Sequence, residues 1–147
     1  MGHAYASNLV HCVFSTKNRQ PLILPDVRER LWAYMIGIGT NKELPILAVG
    51  GIADHIHALI ALHPTMPLSK AIQTLKANSS KWMSEHQAGF AWQEGYGAFS
   101  VSPSNVPVVK RYIREQEAHH RRRTFEQEFL LLLKKSGIEY DPKYVLG

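Results

Sequence analysis

The 147-residue chain has a single cysteine, Cys12, so no disulfide can form within it. A lone thiol fits a reducing cytosol better than an oxidising compartment. Cys12 stands inside the apolar run Leu9-Val10-His11-Cys12-Val13-Phe14, which reads as core rather than as the setting of a reactive thiolate. No stretch approaches the roughly 18–20 uninterrupted apolar residues of a bilayer-spanning helix. The first residues, Met1-Gly2-His3-Ala4-Tyr5-Ala6-Ser7, hold no basic region followed by an apolar run, which argues against a secretion signal. Position 6 is Ala where a myristoylation motif wants Ser or Thr. These absences point to a cytoplasmic protein with no membrane partner. Without further cysteines the chain also has few means to build a structural zinc site, which needs four protein ligands.

What is present is an ordinary globular composition, 45% hydrophobic, with a formal net charge of +5. The length suits one domain, residues 1–147. A basic balance is compatible with nucleic acid, but its distribution says more than its total.

Patterning predicts a strand over residues 8–15 and a polar loop over 16–21. A helix capped by Asp26 follows to about Asn41, with Leu31, Tyr34, Met35 and Ile38 on one face. Strands are predicted over 44–49 and 55–62, separated by a Gly50-Gly51 turn. A second helix runs from Pro67 to about His86, capped by Thr65. Short strands are predicted over 91–92 and 98–101. A third helix starts at Ser104 or Asn105, has Pro107 in its first turn, and runs to about His120. A fourth runs from Thr124 to Lys135, and the tail 138–147 is a short strand or an extended arm. The order β-α-β-β-α-β(β)-α-α predicts an α+β fold of the split βαβ kind. That is a ferredoxin-like (RRM-like) antiparallel sheet of four or five strands with helices packed on it, plus a C-terminal helix bearing Tyr112.

Chemistry concentrates in three places. In Asp54-His55-Ile56-His57, strand alternation turns both imidazoles to one face and Ile56 to the other. Such a pair is either one edge of a metal site or two histidines on a solvated sheet face, and spacing alone does not decide. Two imidazoles with open positions suit a catalytic metal better than a structural one. In Lys110-Arg111-Tyr112-Ile113-Arg114-Glu115-Gln116, Tyr112 and Gln116 share a helix face, and Val108, Val109 and Ile113 form an apolar side. A phenol among cations is pushed towards its nucleophilic phenolate, though a tyrosine on an amphipathic helix is also an ordinary packing residue. Finally, His119-His120-Arg121-Arg122-Arg123 joins Lys110, Arg111 and Arg114 in a dense positive region, with Lys17 and Arg19 on a separate loop. Such residues hold phosphates without reading sequence. Trp82 and Phe90 read as core; Tyr96, between two glycines, is the better candidate to stack on an unpaired base.

Together these motifs resemble the Y1 transposases of the IS200/IS605 insertion sequences, members of the HUH endonucleases. The resemblance is carried by His11–Arg19, by Asp54-His55-Ile56-His57 after Gly-Gly, by Leu68–Trp82, by Trp92–Ser100 and by Tyr112-Ile-x-x-Gln116, in that order. It implies that His55, His57 and Gln116 ligate a divalent metal, Mg²⁺ or Mn²⁺, and that Tyr112 attacks the scissile phosphate. It implies single-stranded DNA hairpins at the element ends as substrate, a 5′-phosphotyrosine intermediate, and a homodimer with active sites shared between subunits. Lys17, Arg19, Lys110, Arg111, Arg114, Arg121, Arg122 and Arg123 are then the candidate DNA contacts. The rival is a single-stranded nucleic-acid-binding module, a domesticated relative without transposition. Against it stand the missing aromatic-Gly signature of an RNA-recognition strand and the presence of a tyrosine, two histidines and a glutamine that binding does not need. A metal-dependent hydrolase using Asp54 ranks lower, since Asp54 alternates away from His55.

Overall fold

A computed structural model describes residues 5–146. Its centre is an antiparallel sheet of four strands, β1 (Leu9–Ser15), β2 (Ile46–Ile52), β3 (His55–Ala61) and β4 (Gly97–Val101), in the order β2-β3-β1-β4. The α+β, ferredoxin-like expectation is met, with four strands. The predicted strand at 91–92 reduces to an isolated bridge between Trp92 and Thr16.

β1 and β3 are buried on both faces along most of their length, and their alternation divides the molecule. Cys12 and Phe14 on β1, with Ile56, Ala58 and Ile60 on β3, point into the main core. Two long helices cover that face, α1 (Pro25–Asn41) and α2 (Leu68–His86). They contribute Leu31, Met35, Ile72, Leu75 and Met83, all fully or almost fully buried. Cys12 is inside this core, and burial raises its thiol to about 12. That is the inert state the sequence suggested. The opposite face carries His11, Val13, Ser15, His55 and His57, and is covered by the C-terminal helices. These are α3 (Val106–Arg114), the short α4 (Gln116–His119) and α5 (Phe125–Lys135). A smaller apolar cluster of Val13, Phe99, Phe125 and Leu133 seals this side.

Several boundaries differ from the sequence reading. The N-cap of α1 is Leu24 with Pro25 in the first turn; Asp26 sits one position on, where its charge still favours the helix N-terminus. The N-cap of α2 is Pro67, while Thr65 bonds to His63 instead. Gly50 and Gly51 lie within β2, and the hairpin turns on Ala53-Asp54, with Ile52 opposite His55. The third predicted helix breaks at Glu115, so Gln116 opens α4. Val108 is 58% exposed, leaving Ile113 as the fully buried anchor of α3. The cap of α5 is as expected: Thr124 forms a capping box with Gln127. The tail folds as turns, not as a strand.

Gly50 is where the sheet admits α3. A Cβ there would come within 2.4 Å of the Ile113 carbonyl oxygen. The close approach seats Ile113 on β2 and fixes the height of Tyr112 above the histidines. Gly50→Ala must therefore push α3 outwards, at a cost of about 1–3 kcal/mol. A melting curve should show a fall of several degrees, and an unchanged melting temperature would mean that α3 is not held at this contact.

Candidate active site

The site is built where β3, α3, α4 and α5 meet on the sheet's second face. His55 and His57 are wholly buried, and the two residues between which Ile56 sits thus share one face as strand geometry requires. The end of α3 brings Tyr112, and α4 brings Gln116, 1% exposed, and His120 just after it. One further residue comes from α5. Glu128, 1% exposed, places a carboxylate in the middle of the cluster.

The contacts converge on that carboxylate. Glu128 Oε1 accepts from Nε2 of His57 at 2.9 Å, of His120 at 3.1 Å and of His55 at 3.3 Å. Its other oxygen accepts the Tyr112 hydroxyl proton. Gln116 Oε1 accepts from His55 Nε2 at 3.0 Å and from His120 Nε2 at 3.1 Å, while its amide reaches back to the Tyr112 carbonyl. The remaining nitrogens of the paired histidines are also held. His55 Nδ1 donates to Asp54 Oδ1 at 2.8 Å, and His57 Nδ1 faces His11 Nε2 at 2.7 Å. His11 reaches His57 diagonally across the β1–β3 ladder, in which Val13 is the direct partner of His57.

Charge follows from these contacts. Burial opposes the charged form of His55, but hydrogen bonds to Asp54 and Glu128 override it and raise this imidazole to about 9. Burial wins at His57, lowering it to about 4 despite Glu128. At His11 burial, reinforced by His57, brings it to about 3. A neutral His11 and a neutral His57 fit one N–H···N bond between them. For Glu128, burial favours the neutral acid, yet hydrogen bonds from His120, His55 and His57 hold it well below the usual carboxylate range. Tyr112 moves the other way from the sequence expectation. Burial, then the bond to Glu128, raise its phenol above the ordinary value, and only Gln116 and Arg123 act against them. The phenol is protonated here, with its proton already directed at a base.

The donor set fits a divalent cation. A ligand atom of His55, of His57 and of Glu128 lie within 4.8 Å of one another, and Gln116 supplies a fourth. Mixed imidazole and oxygen donors suit Mn²⁺ better than Mg²⁺, which favours oxygen alone. The outer contacts to Asp54 and His11 orient the rings as ligating histidines require.

The expected residues Tyr112, His55, His57 and Gln116 are thus brought together. Glu128, His120 and His11 were missed as members of the site. Glu128 had a legible sign: it follows Phe125 by three positions and precedes Leu132 by four, an acid on an apolar stripe. His120 had been read as part of a basic run. Among the basic candidates, Arg121, Arg122 and Arg123 line a cavity of about 510 Å³ with Tyr112 and His119. The His119 ring lies 4.6 Å from that of Tyr112, and its buried Nε2 has no hydrogen-bond partner among the described residues. Arg114 and Arg121 line a second cleft with Arg28. Lys17 and Arg111 are exposed and Lys110 is half-buried. Arg19 is already engaged, paired with Glu126 at 3.0 Å and donating to the Leu146 carbonyl.

Solved structures share this architecture. A protein of Deinococcus radiodurans R1 assigned as a transposase superposes with a TM-score of 0.62 at 23% identity, covering 79% of this chain and 96% of the other. A REP-associated tyrosine transposase bound to a REP hairpin gives 0.60 at 15% identity, covering 82% and 73%. The fold is thus one that these transposase structures share. The chain belongs to the IS200-like transposase family, whose model matches residues 4–116. The transposases of insertion sequence IS200 from Salmonella typhimurium and Salmonella typhi are each 27% identical over 114 residues, 72% of this chain and 74% of theirs. The family match ends at Gln116, so His120 and Glu128 lie beyond it.

Without metal, Glu128 is the counter-charge for the imidazoles. Glu128→Gln should lower the metal-free stability by about 3 kcal/mol, as breaking a buried charged pair does. Urea unfolding in chelator measures this, and an unshifted midpoint would show that the carboxylate is not holding the cluster.

Proposed function

We propose that this transposase cuts and rejoins single-stranded DNA at the ends of its insertion sequence through Tyr112. The observation that carries the reading is the convergence of Tyr112, His55, His57, Gln116 and Glu128 on one buried point. A pure binding module has no use for a phenol hydrogen-bonded to a carboxylate among imidazoles.

Tyr112 Oη attacks the phosphorus and the bond to the 3′-oxygen breaks. The products are a 5′-phosphotyrosine link and a free 3′-hydroxyl. The hydrogen bond to Glu128 orients the phenol, the phenolic proton is released as the bond to phosphorus forms, and the departing oxygen takes up one proton, so none is gained or lost overall. A second 3′-hydroxyl reverses the step, since the phosphodiester energy stays in the tyrosine link. His55, His57 and Gln116, with Glu128, would hold a divalent metal, Mn²⁺ or Mg²⁺, which when bound supplies Lewis-acid polarisation of the phosphate. Asp54 and His11 keep the imidazoles aimed. Arg121, Arg122 and Arg123, beside the unpartnered His119 nitrogen, offer the cationic wall that a phosphate next to Tyr112 needs. Lys17, Lys110, Arg111 and Arg114 extend that surface along the strand; Arg19 serves instead to pin the tail.

The substrate we infer is a hairpin-bearing single strand, in line with the hairpin bound by the REP-associated neighbour. No helix among the described residues is long and apolar enough to cross a membrane, consistent with action on DNA in the cytoplasm. Tyr112 contacts Glu128 and the histidine rings of its own chain. A homodimer sharing its sites must break that contact and lift α3 from Gly50. We therefore place sharing in the assembled DNA complex, not in the free chain.

Incubating the protein with single strands from the flanks of its gene plus Mn²⁺, then running a denaturing gel, tests the reading. Tyr112→Phe should abolish the covalent adduct and leave hairpin binding within about twofold; an adduct on the phenylalanine chain would move the nucleophile elsewhere. His57→Ala should cost at least about a hundredfold in cleavage, and chelator should do the same to the unmodified chain. Cleavage that persists in chelator would remove the metal from the scheme. Mixing the Tyr112→Phe and His57→Ala chains restores the adduct only if subunits share their sites.

A further inference from the structure

Tyr96, the stacking candidate read from the sequence, is not used by the site described so far. The other aromatics of its neighbourhood are occupied. Phe90 is buried, and Trp92 packs edge-on against Phe14 and Phe90 while its indole donates to Ser79. Trp82 stacks on Tyr34 and His86. Tyr96 is 41% exposed, at the rim of a cleft of about 210 Å³. That is the volume of about seven liquid waters, room for one planar heterocycle but not for paired strands.

The cleft has the construction of a stacking site. Phe125 and Phe129, stacked at 5.6 Å, contribute one wall, and Tyr144, 65% exposed, stands with Tyr96 at the opening. Ser15, Gln93 and Glu94 supply polar groups along the lining. The loop that carries Tyr96 is held in advance. The Lys76 ammonium donates to the carbonyls of Gln93 and Gly95 at 2.8 and 2.7 Å, and Gln93 Oε1 accepts from the Asn18 amide. Gly97 lets Phe129 lie close, since a Cβ there would meet its ring at 2.6 Å. Arg19 ties down the tail at Leu146. These contacts preorganise the backbone of the loop, which limits the entropy lost on binding.

Its position gives the occupant. Phe125 lines the cleft and packs its ring 4.6 Å from that of His55. Val13 lines it too and is the ladder partner of His57. The cleft therefore adjoins the catalytic cluster through shared side chains. Resting on the reading of Tyr112 as a single-strand nuclease, we propose that this cleft takes one unpaired nucleobase of the DNA strand, next to the phosphate being cut. The base is sandwiched by Tyr96 and Tyr144 over the phenylalanine wall, and its polar edge meets Gln93 and Glu94. Phe125, Phe129 and Tyr144 all lie after residue 116, outside the stretch matched by the family model.

The test uses the full chain and three 12-nucleotide probes: dA₁₂, dT₁₂ and an abasic strand of the same length. Base stacking on an aromatic side chain corresponds to about tenfold in affinity per base. The unmodified chain should bind dA₁₂ or dT₁₂ at least tenfold more tightly than the abasic strand. Tyr96→Ala with Tyr144→Ala should erase that ratio and leave abasic binding unchanged, and Tyr96→Phe with Tyr144→Phe should restore it. Tyr96→Trp should show indole quenching by dA₁₂ and none by the abasic strand. The proposal is overturned if the double alanine chain, folded by circular dichroism, keeps the ratio, or if the unmodified chain shows no ratio. The nuclease reading stands on the adduct and this inference on base-dependent binding, so either can fail alone.

Discussion

A buried carboxylate is costly unless donors surround it, and the second face of this sheet is organised around meeting that cost for Glu128. Three imidazoles and a phenol come from three different places in the chain, β3, the end of α3 and the residue after α4, and Gln116 at the start of α4 braces two of the imidazoles. No two of the C-terminal helices make a large apolar interface here; the second cluster has only Val13, Phe99, Phe125 and Leu133 as buried members. The polar convergence therefore does much of the work of docking α3 to α5. Remove the carboxylate, and the imidazoles of His55, His57 and His120 lose the acceptor they share.

The main core supplies what this polar layer lacks. Cys12 and Phe14, Ile56, Ala58 and Ile60 anchor β1 and β3 between α1 and α2, and the same strands present His11, His55 and His57 on the reverse side. Ile56, buried between the two histidines in sequence, fixes their register by its own packing. A one-residue slip would send both imidazoles into the core. The apolar layer and the histidine-bearing layer are thus two readings of one alternation. Gly50 completes the arrangement by letting the backbone of α3 rest on β2.

How much of this could be read in the sequence depends on whether the deciding contact is local. Strand alternation in His55-Ile56-His57 and the four-residue spacing from Tyr112 to Gln116 are local geometry, and both were legible. So was the Thr124 cap of α5, which rests on Gln127 three residues on. Gly50-Gly51 misled because a glycine pair usually signals a turn. Here the glycine is needed for a helix approaching from more than sixty residues away, and the turn falls on Ala53-Asp54, which carries no glycine. The phenol's direction of shift was missed for the same reason. The cations next to Tyr112 in sequence point elsewhere on the helix, while the carboxylate that dominates it lies sixteen residues on. Glu128 itself was visible only as an anomaly, an acid on an apolar stripe without an evident partner.

The position of α5 links chemistry to strand recognition. The helix puts Glu128 under Tyr112 and, three residues before it and one after, Phe125 and Phe129 along the cleft beside Tyr96. Residues three and four apart on a helix share a face. The Phe125 ring in the cleft thus lies on the helix face whose carboxylate holds Tyr112 and the imidazoles. The family match covers the sheet, the histidine pair, the tyrosine and the glutamine, and stops there. The segment after it sets the electrostatics of the Tyr112 phenol and lines the neighbouring cleft. Both features draw on one eleven-residue helix, so on the proposed reading a base seated in the cleft and the hydrogen bond that holds Tyr112 share α5 as their support.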